Sequence, residues 1–203
     1  MKKVIAIVTA VLVLDQALKI WVKTSMTLGE DIPITDWFII HFTENPGMAF
    51  GMELGGSWGK LILSLFRIIT VGVIIYWIKQ LLRRPHLPGG ALVAVALILA
   101  GAIGNILDSA FYGLLFDDSL GQPATFLPEQ GGYAGFLFGH VVDMFYFPLF
   151  RGYLPEWLPI WGGDYFIFFR PVFNLADFSI SVGVGLLLLF QKSVFQEPEG
   201  AES

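Results

Sequence analysis

Four stretches of this chain are long and apolar enough to cross a bilayer, at about 4–22, 61–82, 90–107 and 173–195. A hydrocarbon core about 30 Å thick requires about 20 apolar residues in a helix. The pattern therefore predicts an integral membrane protein, mainly α, with four transmembrane helices in a single membrane domain over residues 1–203. Charged residues make up 14% of the chain. A soluble domain carries about 25%, so this surface could not be wetted as a globule. Aromatic residues at 15% exclude disorder.

Lysines and arginines set the expected orientation. Lys2, Lys3, Lys79, Arg83, Arg84 and Lys192 fall on one side when both termini and the 83–89 turn are cytoplasmic. Lys23, Lys60, Arg151 and Arg170 lie in the outer segments, diluted by acids. The first run passes the usual length of a signal-peptide core, contains Asp15 and Lys19, and lacks an A-x-A-like site, so it reads as a retained span. Residues 24–60 carry short apolar runs broken by Pro33, Pro46 and glycines, which predicts a small sheet on the membrane surface. Residues 109–172 are rich in aromatics, Gly and Pro without a sustained period, and read as a long interfacial loop with one short helix.

The chain has no cysteine, which removes disulfides, thiolate nucleophiles and Cys-ligated metals. A net charge of −5 argues against a nucleic-acid partner. His140 beside Asp143 lacks a second ligand cluster, so no metal is expected. What remains is carboxylate chemistry.

Ionisable residues inside a span are costly and mark functional candidates. Asp15 and Lys19 are spaced i, i+4 and can pair, either structurally or at a site. Gly101, Gly104, Asn105 and Asp108 share one face at the end of the third run. Asn174, Asp177 and Ser181 form a stripe at the start of the fourth, where Asp177 could equally serve as a helix cap. Asp143 is an acid in an apolar run, level with Asp177 at the outer boundary. Two carboxylates brought together in a partly dry site share a proton, and one can act as base while the other acts as acid. A proton-coupled transporter is the alternative, but the acids cluster at the outer edge and no internal repeat is visible.

Taken in order, Asp15-Gln16 with Lys19, Asn45-Pro46-Gly47-Met48-Ala49-Phe50-Gly51, Gly104-Asn105 with Asp108, Val141-Val142-Asp143, and Phe173-Asn174-Leu175-Ala176-Asp177 resemble bacterial lipoprotein signal peptidase (signal peptidase II). The resemblance implies a cofactor-free membrane aspartic endopeptidase with four helices and a small extracytoplasmic β-cradle, in the bacterial inner membrane with its site at the outer face. It implies cleavage of diacylglyceryl-modified prolipoproteins just before the lipidated cysteine. Its partners would be those signal peptides and membrane lipids, with no obligate protein partner. By position, Asp143 and Asp177 match the catalytic pair. Asn45, Gly47, Asn105, Asp108, Asn174 and Ala176 match substrate-pocket residues, with Asp15 and Lys19 in support. Two departures stand out. Ser109 occupies the place of the family's usual Arg, which Arg67, Arg151 or Arg170 would have to replace. The segments 114–139 and 148–169 are longer than the usual loop, and the first is expected to act as a lid.

Overall fold

The computed structural model describes residues 1–46, 56–83 and 88–191. Gly47 and the Met48–Gly51 stretch of the second motif lie outside the described residues, as does 192–195, the end of the fourth expected span. In chain order the elements are helix α1 (Lys2–Ser25), strands β1 (Asp31–Thr35) and β2 (Phe38–Asn45), and helices α2 (Gly56–Leu81) and α3 (Gly89–Leu107). A π turn over Asp108–Tyr112 extends α3 into the short α4 (Gly113–Leu115). Strands β3 (Val141–Tyr146), β4 (Phe150–Tyr153), β5 (Tyr165–Phe168) and β6 (Val172–Phe173) then lead into helix α5 (Leu175–Leu189).

Among the described residues, three helices are long and apolar enough to cross a membrane: Lys2–Ser25, Leu61–Leu81 and Gly89–Leu115. On α2, Ile62, Phe66, Ile69, Val73 and Tyr76 recur at spacings of three and four, each 61–65% exposed. Such a stripe of bare apolar side chains is untenable in water and natural against lipid tails. Helix α5, in the fourth expected span, is shorter, with 15 residues spanning about 22 Å. It lies antiparallel on α3. Cβ atoms added at Gly101, Gly183 and Gly90 would strike Ala176, Ala94 and Phe190 respectively, so the contact runs the length of both helices.

That approach depends on absent side chains. A Cβ at Gly101 would sit 2.2 Å from the Ala176 carbonyl oxygen, which is backbone and cannot swing aside. Gly101→Val is therefore expected to destabilise the bundle by about 1–3 kcal/mol or more. Gly185→Ala, with nothing within 4 Å of the added carbon, should be close to neutral. Unfolding of both variants in micelles would measure the difference, and equal stabilities would contradict the close packing.

At one end of the helices sits a four-stranded antiparallel sheet in the order β1-β2-β3-β6. Its core is formed by Val22 of α1 and Met26 just after it, Ile40 and Phe42 of β2, Val142 and Met144 of β3, and Tyr112 and Phe116 beyond α3. The expected boundaries shift accordingly: α1 runs on to Ser25 and α2 begins at Gly56, leaving two strands between them. The stretch 109–172 holds the short helix α4 but is more than a loop, because it also supplies three strands and the start of a fourth. Strand β3 escaped detection because Val141, Val142, Asp143 and Met144 are all buried, so no alternation of apolar and polar residues marks it. Phe173, expected inside the fourth span, pairs as β6 with Phe145.

Segment 114–139 is fastened along its length. Leu28 N–H donates to the Ser119 carbonyl and Ala124 N–H to that of Lys23, both at 2.9 Å. Tyr133, Ala134 and Gly139 N–H groups donate to the carbonyls of Phe116, Gly113 and Ser109, each at 2.9 Å. It packs as a fixed cap on the ends of α1 and α3, with Phe116 fully buried.

Candidate active site

The site forms where α1, the end of α3, β3 and the start of α5 converge beneath the sheet. At its base lies Lys19, whose spacing from Asp15 puts both on one face of α1. Lys19 Nζ lies 3.0 Å from Asp15 Oδ2 and 2.8 Å from Asp108 Oδ2. It also donates to Asn105 Oδ1 at 3.0 Å. Asp15, Lys19 and Asp108 are all essentially inaccessible to solvent. A buried cation is tolerable only when paired and hydrogen-bonded, and this one has three oxygen partners.

The two acids hold other elements in turn. Asp15 Oδ1 accepts the Ala176 N–H at 2.9 Å, so a carboxylate from α1 satisfies an unpaired donor at the N-terminus of α5. Ala176 is fully buried, and a Cβ on Gly104 would come within 3.2 Å of its methyl group. Asp108 Oδ2 accepts the Val142 N–H of β3 at 3.3 Å, while its Oδ1 accepts from Gln16 Nε2 at 2.8 Å.

Asn174 caps α5: its Oδ1 accepts the Asp177 N–H at 2.9 Å. That leaves the Asp177 carboxylate free of capping duty, in the third helical position where the helix N-terminus favours negative charge. Two asparagines then join the acids. Asn174 Nδ2 donates to Asp143 Oδ1 at 2.7 Å and to Asn105 Oδ1 at 3.1 Å. Asn105 Nδ2 donates to Asp177 Oδ1 at 2.7 Å. Asp143, from the middle of β3 opposite Thr43, and Asp177, from α5, therefore sit on a common amide bridge. Among the described residues, neither carboxylate's second oxygen carries a hydrogen bond.

Their environments differ. Asp143 is 6% exposed, whereas Asp177 is half-buried. Burial, aided by the nearby Asp177 charge, pushes the Asp143 carboxyl up to about 7, against the opposing pull of Lys19 and the Asn174 hydrogen bond. This is the asymmetry that acid–base chemistry requires, with one carboxyl holding its proton near neutrality beside another.

Of the residues singled out from the sequence, Asp15, Lys19, Asn105, Asp108, Asp143, Asn174, Ala176 and Asp177 converge here. Asn105, Asp108, Asn174 and Ala176 are buried beneath the acids and act on them directly or through the backbone. Asn45 ends β2 opposite Val141. Of the three candidate arginines, Arg67 reaches the site. Its Nη1 donates to Ser109 Oγ at 3.0 Å, and it lies within electrostatic reach of Asp177, Asp108 and Asp143. Arg151 and Arg170 are exposed in and beyond the β4–β5 hairpin.

A second buried cluster had no signal in the sequence. Lys23 contacts Glu44, donates to Ser119 Oγ at 2.9 Å, and lies 4.9 Å from the Tyr133 ring centre. Glu44 Oε2 is 3.0 Å from His140 Nδ1. Burial alone would raise the Glu44 carboxyl, but the His140 hydrogen bond and the Lys23 charge outweigh it and hold the group at about 2. Glu44 faces Val142 across the ladder, so the cluster braces the strand that carries Asp143. His140 is thus engaged with Glu44.

The model of a family described as signal peptidase (SPase) II matches residues 7–192. The chain is 54% identical over 188 residues to the lipoprotein signal peptidase of Porphyromonas gingivalis, covering 93% of this chain and 82% of that one. It is 39% identical over 190 residues to the lipoprotein signal peptidase of Amoebophilus asiaticus, covering 92% and 76%. Two bacterial membrane enzymes solved by the in meso method, at 2.3 and 1.9 Å, share the fold. Their TM-scores are 0.63 and 0.61 at 22% and 23% identity, over 100% and 98% of this chain and 96% of each of theirs.

Proposed function

The chain belongs to the signal peptidase II family, and from that premise we propose that it cleaves prolipoprotein signal peptides by aspartic chemistry, with Asp143 and Asp177 as the catalytic pair. It is a membrane peptidase of lipoprotein maturation. The observation that carries the aspartic reading is the amide bridge, on which acids from a strand and a helix are held together by Asn174 and Asn105 at 2.7 Å each.

In this reading a water lies between the free carboxylate oxygens. Asp177 takes a proton from it as its oxygen attacks the scissile carbonyl carbon, and Asp143 gives its proton to the carbonyl oxygen. Collapse of the resulting diol breaks the C–N bond as Asp177 passes its proton to the departing amine and Asp143 takes one back from a diol hydroxyl. Lys19, Asp15, Asp108, Asn105 and Asn174 hold the pair in place, and Arg67 tempers the negative charge gathered there. Asn45 and Gly47, at the end of β2 and beyond it, are assigned to the substrate chain.

The substrate is a prolipoprotein bearing a diacylglyceryl group on the cysteine that follows the cut. Its signal helix enters the inner membrane with its N-terminus inside, as this chain's own first helix does, which brings the lipidated cysteine to the outer face, level with the pair. Purified protein should cleave a lipidated prolipoprotein peptide immediately before that cysteine and leave the unlipidated peptide intact. Equal cleavage of both, or a cut elsewhere, would overturn the substrate assignment.

A further inference from the structure

The two long inserts differ in one respect. Segment 114–139 is tied to the helices by backbone hydrogen bonds and buries Phe116, Ala124 and Leu137, whereas the β4–β5 hairpin has no fully buried residue. Its strands pair only with each other, Phe150 with Phe168 and Tyr153 with Tyr165, in a sheet of their own. Tyr153 is 75% exposed, and at the tip Trp157, Ile160 and Trp161 are 79%, 88% and 61% exposed. An isolated two-stranded hairpin is marginal in water, and an apolar patch of this extent marks an interaction surface.

We propose that the β4–β5 hairpin is an interfacial anchor, seated among the lipid headgroups on the sheet side of the bilayer through Tyr153, Trp157, Ile160, Trp161 and Tyr165. Three observations favour lipid over a protein partner. Successive strand residues point to opposite faces, and Phe150 and Tyr153, like Tyr165 and Phe166, put exposed rings on both. A docked protein would cover one face, whereas an interface surrounds both. Tyr153, Trp157, Trp161 and Tyr165 are among the exposed residues, and Trp and Tyr are the types that settle at headgroup level. The root of the hairpin is also fixed against the four-stranded sheet and the start of α5. Phe147 stacks on Phe38 at 4.8 Å and on Phe173 at 5.7 Å, and Phe169 meets Phe173 edge-on at 6.2 Å. Phe173 immediately precedes the cap of α5, an apolar helix that packs antiparallel on the span carrying α3.

The hairpin interrupts the chain between β3 and β6, the strands leading from Asp143 and towards Asp177. Anchoring it fixes those two strands in the plane of the membrane surface. The inference stands apart from the catalytic reading, since its test needs no turnover.

The chain has no cysteine, so single labels are introduced without background. Trp157→Cys, Ile160→Cys and Trp161→Cys, with Gln130→Cys on the exposed part of the other insert as control, would each carry a nitroxide in protein reconstituted into phospholipid vesicles. All four positions are exposed, so the fold is spared. Power-saturation EPR should show the hairpin labels colliding more with oxygen than with a water-soluble nickel chelate, and Gln130→Cys the reverse. Nickel accessibility at the hairpin equal to that of the control would overturn the anchor. Dipolar broadening between labels on neighbouring molecules would do so too, by assigning the surface to a second copy.

Discussion

Asp143→Asn and Asp177→Asn are each expected to lower turnover of a lipidated prolipoprotein by about a thousandfold, within the range attributed to a positioned acid or base, with the protein still folded. Asparagine preserves shape and the accepting oxygen. Asn174 Nδ2 can still donate to residue 143, and Asn105 Nδ2 to residue 177. The variants lose only the ability to take up or release a proton at the second oxygen. Loss of activity with unchanged thermal stability separates chemistry from architecture. Near-wild-type turnover in either variant would refute the pair.

Lys19→Met should have the largest effect on stability. Methionine fills the space of the lysine stem but leaves Asp15 and Asp108 facing each other, both buried, without the cation 3.0 and 2.8 Å away. Removing one partner from a buried ionic cluster typically costs about 3–5 kcal/mol, because the remaining charge stays desolvated. Asp15 and Asp108 also hold the Ala176 and Val142 N–H groups, so both catalytic elements would loosen and activity would fall with stability. Adding Asp108→Asn should recover part of the loss by removing one of the stranded charges. Unfolding in micelles would measure both variants, and a loss under about 1 kcal/mol for Lys19→Met would show that the cluster is dispensable.

Much of this was legible in the sequence because the bilayer is a simple solvent. An apolar run of sufficient length has one outcome in lipid, and a carboxylate or amide inside it needs a partner. Asp15 and Lys19 were readable at i, i+4, and Gly101, Gly104, Asn105 and Asp108 as one face. What they pair with was not. Lys19 meets Asn105, 86 residues away, and Lys23 meets Glu44 and Ser119, 21 and 96 residues away; no local period encodes such distances. The sequence marks Asp143 as an acid in an apolar run but not its strand, since β3 is buried on both faces and its neighbours in the sheet lie far along the chain. Arg67 could be named only as one of three arginines, and its contact with Ser109 across two helices singled it out.

The central claim, that Asp143 and Asp177 share the proton that drives hydrolysis, is tested most directly by the pH dependence of single-turnover cleavage. Asp143 has its carboxyl raised to about 7, so it is protonated below that pH and loses its proton above it. A general acid is lost as its proton leaves. The rate should therefore fall about tenfold per pH unit above the dyad's upper apparent pKa, near 7. A rate constant that stays flat from mildly acidic to clearly alkaline pH would contradict the shared proton, and with it the assignment of Asp143 as the acid.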